Sequence, residues 1–314
     1  MKIFVLYARE NWITDELAKE WIQNNEDLYT NNPLDADIIW ILSDYIINQL
    51  PYYIYQQKKV VTTIHHIAPE KVNQAQIQHF NVLNKITDVF HSICDITTIE
   101  MRKYFTKPII TFPFCHNENV WKNIENKKEL RNKYNFPEKE FLIGSFQKDT
   151  EGNSIANKTY MPKLCKGPDL FVKAVVLLKK EKYPNLKVVL TGYYRQYIMN
   201  EFKKNNIDFY FFEKVDFKIL NELMNCLDLY IVASRCEGGP RAINECSLTK
   251  IPLLSTNVGI ASLLCHPDSI FDMNNIETIL NCTANVEYNY KKAQLYTIKN
   301  YMKDFTKQLI KPIN

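Results

Sequence analysis

Glycine is scarce in this chain, with seven in 314 residues. Each is then expected where the backbone must turn left-handed or approach another group closely. No G-x-G-x-x-G follows the first apolar run, which argues against a nicotinamide or flavin dehydrogenase. Neither a P-loop nor a G-x-S-x-G nucleophile elbow is written. No apolar run approaches the roughly 20 residues that span a bilayer. Met1-Lys2 leads straight into Ile3-Phe4-Val5-Leu6, too short for the core of a signal peptide. None of the eight cysteines (Cys94, Cys115, Cys165, Cys226, Cys236, Cys246, Cys265 and Cys282) has a partner at C-x-x-C spacing, so no zinc or dithiol site is expected. These features predict a reduced, cytoplasmic protein. In that compartment the glycosylation patterns at Asn157-Lys158-Thr159 and Asn281-Cys282-Thr283 are chance matches. The net charge of +4 is too small to suggest nucleic acid. Basic clusters at Lys122, Lys127, Lys128, Arg131 and Lys133 and at Lys179, Lys180 and Lys182 read as solvated helix faces. The sharper reading of the same clusters is weak peripheral attraction to an anionic membrane face or a phosphorylated acceptor.

What is present alternates between short apolar runs and helical patterns. Hydrophobic residues at 46% and charged residues at 24% are ordinary for a soluble globular chain, and the length suggests about two domains. Residues 3–7, 37–42, 60–64 and 109–110 read as strands, the middle two continuous and β-branched, as in parallel strands buried on both faces. Ile13, Leu17, Trp21 and Ile22 recur at helical spacing. This half predicts a doubly wound α/β domain over residues 1–136, closed by a polar helix at 121–134 and the break at Phe136-Pro137. A second alternation over residues 137–290 predicts strands at 141–144, 187–191, 209–212, 229–233 and 252–255. Helices are expected at 168–182, 217–226 and from Pro240 onward, giving a second Rossmann-like unit. Residues 287–310 are helical in pattern, so 291–314 is expected to form a C-terminal helix packing back towards the first domain.

The stretch from Val232 to Cys246 carries the most chemistry. A strand ends at Ala233, a loop holds Glu237, Gly238 and Gly239, and Pro240 stands where a helix begins. Ligands in open α/β sheets bind at the carboxyl ends of strands. A helix N-terminus presents free N–H groups and partial positive charge, which suits a pyrophosphate. Glu237 and Glu245 flank this anion site. The five helical steps from Pro240 to Glu245 span about 7.5 Å, so the two acids can reach different parts of one elongated ligand. A carboxylate beside a phosphate is repelled unless hydroxyl groups engage it, and sugars and riboses supply hydroxyls. The plainer alternative is two surface glutamates near a helix start, where acids are favoured anyway.

Glu237-Gly-Gly-Pro-Arg-Ala-Ile-Asn-Glu245 resembles the signature of family 4 retaining glycosyltransferases of the GT-B fold. Further matches lie in order: Ile143-Gly144-Ser145-Phe146, Lys166-Gly167-Pro168-Asp169, Ser255-Thr-Asn-Val-Gly259 and Val61-Thr-Thr-Ile-His65-His66. The resemblance implies two Rossmann-like domains facing across a cleft. It implies that Glu237 binds hydroxyls of the donor sugar and Glu245 binds the nucleotide ribose. Gly144, Gly238, Gly239, Pro240 and Arg241 would line the donor, and Lys214 and Val215 would frame the base. Lys166 matches the lysine that neutralises the leaving diphosphate, and His65 would face the donor sugar. The family's usual arginine before that lysine is not evident, and Lys148 is the nearest cation after Gly144-Ser145-Phe146-Gln147. The stretch from Asp149 to Leu164 is also longer than the family's common loop.

Asp35-Ala36-Asp37 spells the Asp-x-Asp pattern of metal-dependent transferases, but it reads better as a loop entering a strand. No catalytic metal and no cofactor are expected. The expected function is metal-independent, retaining transfer from a nucleotide diphosphate-sugar to a glycan or glycolipid acceptor in surface glycan synthesis, at the inner face of a membrane. Two other classes use the same residues. A nucleotide-sugar epimerase or hydrolase would yield an epimer or free sugar without acceptor, and a silent binding module would bind nucleotide without turnover.

Overall fold

The computed structural model describes residues 1–10, 13–151 and 160–311. The glycosylation match at Asn157 and the middle of the loop between Asp149 and Leu164 lie outside the described residues. The chain divides into two compact units, Met1–Cys115 with Tyr296–Asn314, and His116–Leu295. No helix among the described residues is long and apolar enough to cross a membrane.

The first unit runs β1 (Ile3–Leu6), α1 (Ile13–Asn24), β2 (Ile38–Ile41), α2 (Tyr52–Gln57), β3 (Lys59–Ile64), α3 (Gln74–Ile86), β4 (Val89–Ser92), α4 (Asp95–Met101) and β5 (Ile109–Thr111). The five strands are parallel, in the order β1-β2-β3-β4-β5. That order alone winds one way. A parallel bridge between Ile3 and Tyr29 restores the second direction. Ile3 N donates to Leu28 O at 2.7 Å and Thr30 N to Ile3 O at 3.0 Å, on the edge of β1 away from β2. The expected doubly wound sheet is therefore present, with one strand reduced to a single bridge.

One face of this sheet buries Phe4, Leu6, Ile39, Ile41 and Phe90 against Phe80 and Leu83 of α3 and Met101 of α4. On the other face Trp40 packs edge-on to Trp21 of α1 at 5.5 Å and beside Phe305 of the C-terminal helix (Ile298–Ile310) at 5.8 Å. Buried indoles need a partner for their N–H. Trp21 Nε1 donates to Thr306 Oγ1 at 3.0 Å, and Trp40 Nε1 donates to Thr63 Oγ1 at 2.9 Å. Thr63 in turn lies 3.0 Å from His91 Nδ1, and His91 Nε2 lies 2.9 Å from Phe112 O. A carbonyl only accepts, so His91 is the neutral Nε2–H tautomer. Burial pushes its imidazole down to about 3.

The second unit begins earlier than the sequence suggests. Lys122 N donates to Asn221 Oδ1 at 3.2 Å and Ile124 N to Asn225 Oδ1 at 2.8 Å. From α5 (Lys127–Lys133), Lys127 reaches Asp228 at 2.8 Å and Arg131 reaches it at 2.5 Å. These partners lie about a hundred residues further on, so the polar stretch reads locally as the end of the first domain. The division falls between Cys115 and His116, where Phe136-Pro137 was expected. At the far end the expected single helix is broken in two. Thr297 caps the C-terminal helix, and the division falls between Leu295 and Tyr296.

The unit continues β6 (Phe141–Ser145), α6 (Pro168–Glu181), β7 (Leu186–Thr191), α7 (Gln196–Lys204), β8 (Phe209–Phe212), α8 (Phe217–Asn225), β9 (Leu229–Val232), α9 (Arg241–Leu248), β10 (Leu253–Thr256), α10 (Ala261–Leu264), β11 (Ile270–Phe271) and α11 (Val286–Gln294). Its six parallel strands are ordered β11-β10-β9-β6-β7-β8. The chain starts in the middle at β6, winds outward to β8, then returns to β9 and winds the other way. The carboxyl ends of β6 and β9 therefore flank a topological switch point, where open α/β sheets bind ligands.

Candidate active site

Both loops singled out in the sequence leave the sheet at this switch point. The loop after β9 is docked on the single 3-10 turn Leu164–Lys166. Arg235 N and Cys236 N both donate to Cys165 O, at 2.8 and 3.1 Å. The Arg235 guanidinium holds Asp169 at 2.7 and 2.6 Å. Burial acts to raise the Asp169 carboxyl, but Arg235 outweighs it and holds the group below its usual range. The approach is close enough to require glycine. Gly167 has φ +60°, and a Cβ there would lie 1.8 Å from Ala233 O.

This docking brings Lys166 Nζ to 2.5 Å from Glu237 Oε2. Ser234 Oγ donates to Glu237 Oε1 at 2.9 Å. Gln147, just past β6, donates from Nε2 to Lys166 O at 2.9 Å. Glu237 is 9% exposed, so cation and carboxylate meet largely out of water. The following loop closes on its neighbour beyond β10. Gly259 has φ +55°, and a Cβ there would lie 2.3 Å from Gly238 O and 2.8 Å from Pro240 Cδ. Thr256 Oγ1 donates to Ser234 O at 2.5 Å.

Pro240 stands one position before the first helical residue of α9, as its N-cap, and no side chain caps that end. Within α9, Arg241 Nε lies 3.4 Å from Glu245 Oε1, a long contact between partly buried groups. Arg241 Nη1 is a buried donor with no hydrogen-bond partner among the described residues. The Arg241 charge also reaches His116. Burial first and this charge second hold the His116 imidazole well below its usual range, and its Nδ1 has no partner among the described residues either.

Lys148 lies past the end of β6 with its ammonium 4.3 Å from the Tyr194 ring centroid. Burial, then the nearby Lys163 charge, lower its affinity for a proton. Gly144 lies inside β6. The space a Cβ would fill there is occupied by Leu227 Cδ1 at 2.2 Å and Tyr230 Cδ2 at 3.0 Å, so this glycine serves packing in the unit. Lys214 is exposed and Val215 half-buried beyond β8. β8 itself lies three strands from β9, about 14 Å at the usual strand spacing. His65 belongs to the first unit. It is half-buried, its Nε2 lies 2.9 Å from Leu42 O, it stacks on Phe114 at 5.7 Å, and burial lowers its proton affinity.

Asp35 and Asp37 each hold a local polar contact in the first unit. Asp35 accepts from Asn32 Nδ2 at 2.8 Å, and Asp37 from Lys2 N at 2.7 Å. Among the described residues no group of three His, Cys, Asp or Glu is placed to hold a metal ion. Sequence reasoning passed over Ser234, Gln147, His116 and Arg195. Arg195 is fully buried, pairs with Asp149, and donates to Ser145 O at 2.7 Å and Thr191 O at 2.6 Å. It ties the ends of β6 and β7 together.

Two doubly wound parallel units define the class of the GT-B fold. The chain belongs to the glycosyl transferases group 1 family, whose model matches residues 126–294, more than half of the chain. No curated protein matches it. Among solved structures it is similar to Anabaena HepE in complex with UDP-glucose, at 15% identity and a TM-score of 0.75 over 100% of this chain and 99% of that one. It is also similar to sucrose-phosphate synthase from Thermosynechococcus elongatus, at 14% identity and a TM-score of 0.71 over 98% and 80%. A third is the pneumococcal O-GlcNAc transferase GtfA with UDP and GlcNAc, at 15% identity and a TM-score of 0.60 over 98% and 61%.

Proposed function

We propose that this chain moves a sugar from a nucleoside diphosphate sugar to an acceptor hydroxyl with retention of anomeric configuration. The observation that carries the reading is the 2.5 Å pairing of Lys166 with Glu237 at the switch point. The site then offers a cation for a phosphate beside a carboxylate for hydroxyls. HepE was crystallised with UDP-glucose and with UDP, which supports a uridine diphosphate sugar as the first donor to test.

In this reading the bond from the anomeric carbon to the phosphate oxygen breaks, and its electron pair goes to that oxygen. The acceptor hydroxyl oxygen attacks the same face of the sugar, and its proton passes to the departing phosphate. The main burden is the charge developing on the diphosphate. Lys166, Lys148, Arg241 and the amides at the start of α9 are the groups suited to stabilise it, so turnover needs no divalent metal. Glu237 takes sugar hydroxyls and Glu245 the ribose. Lys214 and Val215 frame the base. The acceptor is a glycan or glycolipid of surface-glycan synthesis at a membrane's inner face.

Thermal unfolding with UDP, UDP-glucose and other nucleoside diphosphate sugars tests the reading. A ligand at a hundred times its dissociation constant stabilises the native state by about 2.7 kcal/mol. Turnover is then followed as nucleoside diphosphate release, with and without EDTA. If no nucleoside diphosphate sugar shifts the transition and none is turned over, the reading is wrong. Turnover lost in EDTA and restored by manganese would overturn the metal-independent part alone.

A further inference from the structure

We propose that Ser234 is a positioning residue for Glu237, an inference that rests on the donor-binding reading above. Ser234 is 0% exposed and follows β9 by two residues. Its backbone is fixed, since its carbonyl accepts from Thr256 Oγ1 at 2.5 Å. A hydroxyl has one hydrogen to give. Three acceptors surround it: Glu237 Oε1 at 2.9 Å, and Gln147 Oε1 and Lys166 O each at 3.5 Å. The hydrogen goes to the nearest and most highly charged of these, because bonds to ionised acceptors are shorter and stronger.

Glu237 then has a different partner on each oxygen, Ser234 on Oε1 and Lys166 on Oε2. The two differ in what a donor does to them. A diphosphate competes for the lysine ammonium, while the serine hydrogen is fully buried and out of its reach. Once a phosphate draws on Lys166, Ser234 is the partner that keeps the carboxylate from rotating, with Oε2 aimed at the sugar hydroxyls. Gln147 supports the same arrangement from the other side by holding Lys166 O.

A double-mutant cycle separates positioning of Glu237 from a merely structural role for the buried serine. kcat/KM with UDP-glucose, or the donor found to turn over, is measured for wild type, Ser234→Ala, Glu237→Ala and the double variant. UDP affinity and unfolding midpoint are followed in parallel. Acting through Glu237, Ser234→Ala lowers kcat/KM about ten- to hundred-fold in the wild-type background, the range for losing a hydrogen bond to a charged group. It then costs under about threefold once Glu237 is gone, and UDP affinity is unchanged in Ser234→Ala. Equal losses in both backgrounds, or no loss in either, overturn the inference while leaving the donor site standing. If Glu237→Ala itself turns over like wild type, the donor-site reading fails first and the inference with it. Should Ser234→Ala not fold, the near-isosteric Ser234→Cys, a much weaker donor, runs through the same cycle with the same criteria.

Discussion

Gly259→Ala should damage the donor site from a residue that need not touch the donor. Two costs add. The first is backbone strain, since Gly259 sits at φ +55°, and a left-handed conformation costs an L-residue roughly 1–2 kcal/mol. The second is steric. The new methyl would lie 2.3 Å from Gly238 O, about 1 Å inside an ordinary carbon–oxygen contact. The obstacle is backbone and not a flexible side chain, so the loop itself must move. Overpacking of that kind costs about 1–3 kcal/mol. The sum is about 2–5 kcal/mol, tolerable against a total of about 5–15 kcal/mol. The part that moves is Gly238 to Pro240, and a 1 Å displacement near reacting groups lowers turnover about a hundred-fold. Gly192→Ala supplies the control. It stands at φ +87° with nothing within 4 Å of its Cβ, so it carries strain without the clash. Urea unfolding and turnover with a nucleoside diphosphate sugar should show both variants destabilised, with Gly259→Ala more so and it alone losing activity. Equal destabilisation with full turnover in both would refute the claim that the Gly259 contact shapes the donor loop.

Glu245→Ala should weaken binding of bare UDP about tenfold or more by calorimetry, since its proposed partner is the ribose; equal affinities would make it only a partner for Arg241. Lys166→Ala should lower kcat at saturating donor more than it raises KM, because a cation that gains attraction as the bond breaks accelerates the chemical step; a raised KM at normal kcat would restrict it to holding the donor. Folding stability should fall as pH drops from 6.5 towards 3. His91 has its proton affinity depressed to about 3 in the fold, against about 6.5 unfolded, so the unfolded chain takes up the proton first. His91 alone accounts for a loss of about 1.4 kcal/mol per unit, hence about 2 kcal/mol at pH 5, and His65 and His116, also lowered by burial, act in the same direction. Unfolding free energies at pH 5 and 7.5 that agree would contradict the neutral, buried imidazole.

The sequence was most legible where physics is local. β2, β7 and β9 are buried continuously or nearly so and read directly as strands. The stretch from Glu237 to Glu245 was readable because strand, loop and helix start follow one another within a few residues. β4 was missed because His91 interrupts it. Only the fold shows that Thr63 and Phe112 satisfy that imidazole. The strand contact at Tyr29 was missed because one bridge leaves no periodicity. Ser234, Gln147 and Arg195 were passed over for a related reason. A polar side chain's role depends on which group the fold sets opposite it, and for Arg195 those groups are Asp149, Ser145 and Thr191.

The stretch between Asp149 and Leu164 is longer than the family's common loop. Its two ends are joined before the extra length begins. Thr150 bridges Pro162 antiparallel, Lys163 N donates to Asp149 O at 2.7 Å, and Glu151 N donates to Met161 O at 2.9 Å. Asp149 is itself held by buried Arg195, and Tyr194 O accepts from Asp149 N and Thr150 N at 3.3 and 3.0 Å. Loop length beyond a closed base adds little to the free energy of closure. The separation of Lys148 from Lys166 is then set by the base, and Gln147 holds Lys166 O directly. An insertion there leaves the cations where the ends of β6 and β9 put them. The geometry of the proposed leaving-group site therefore depends on Arg195, Gln147 and Tyr194, residues that carry no part of the family resemblance.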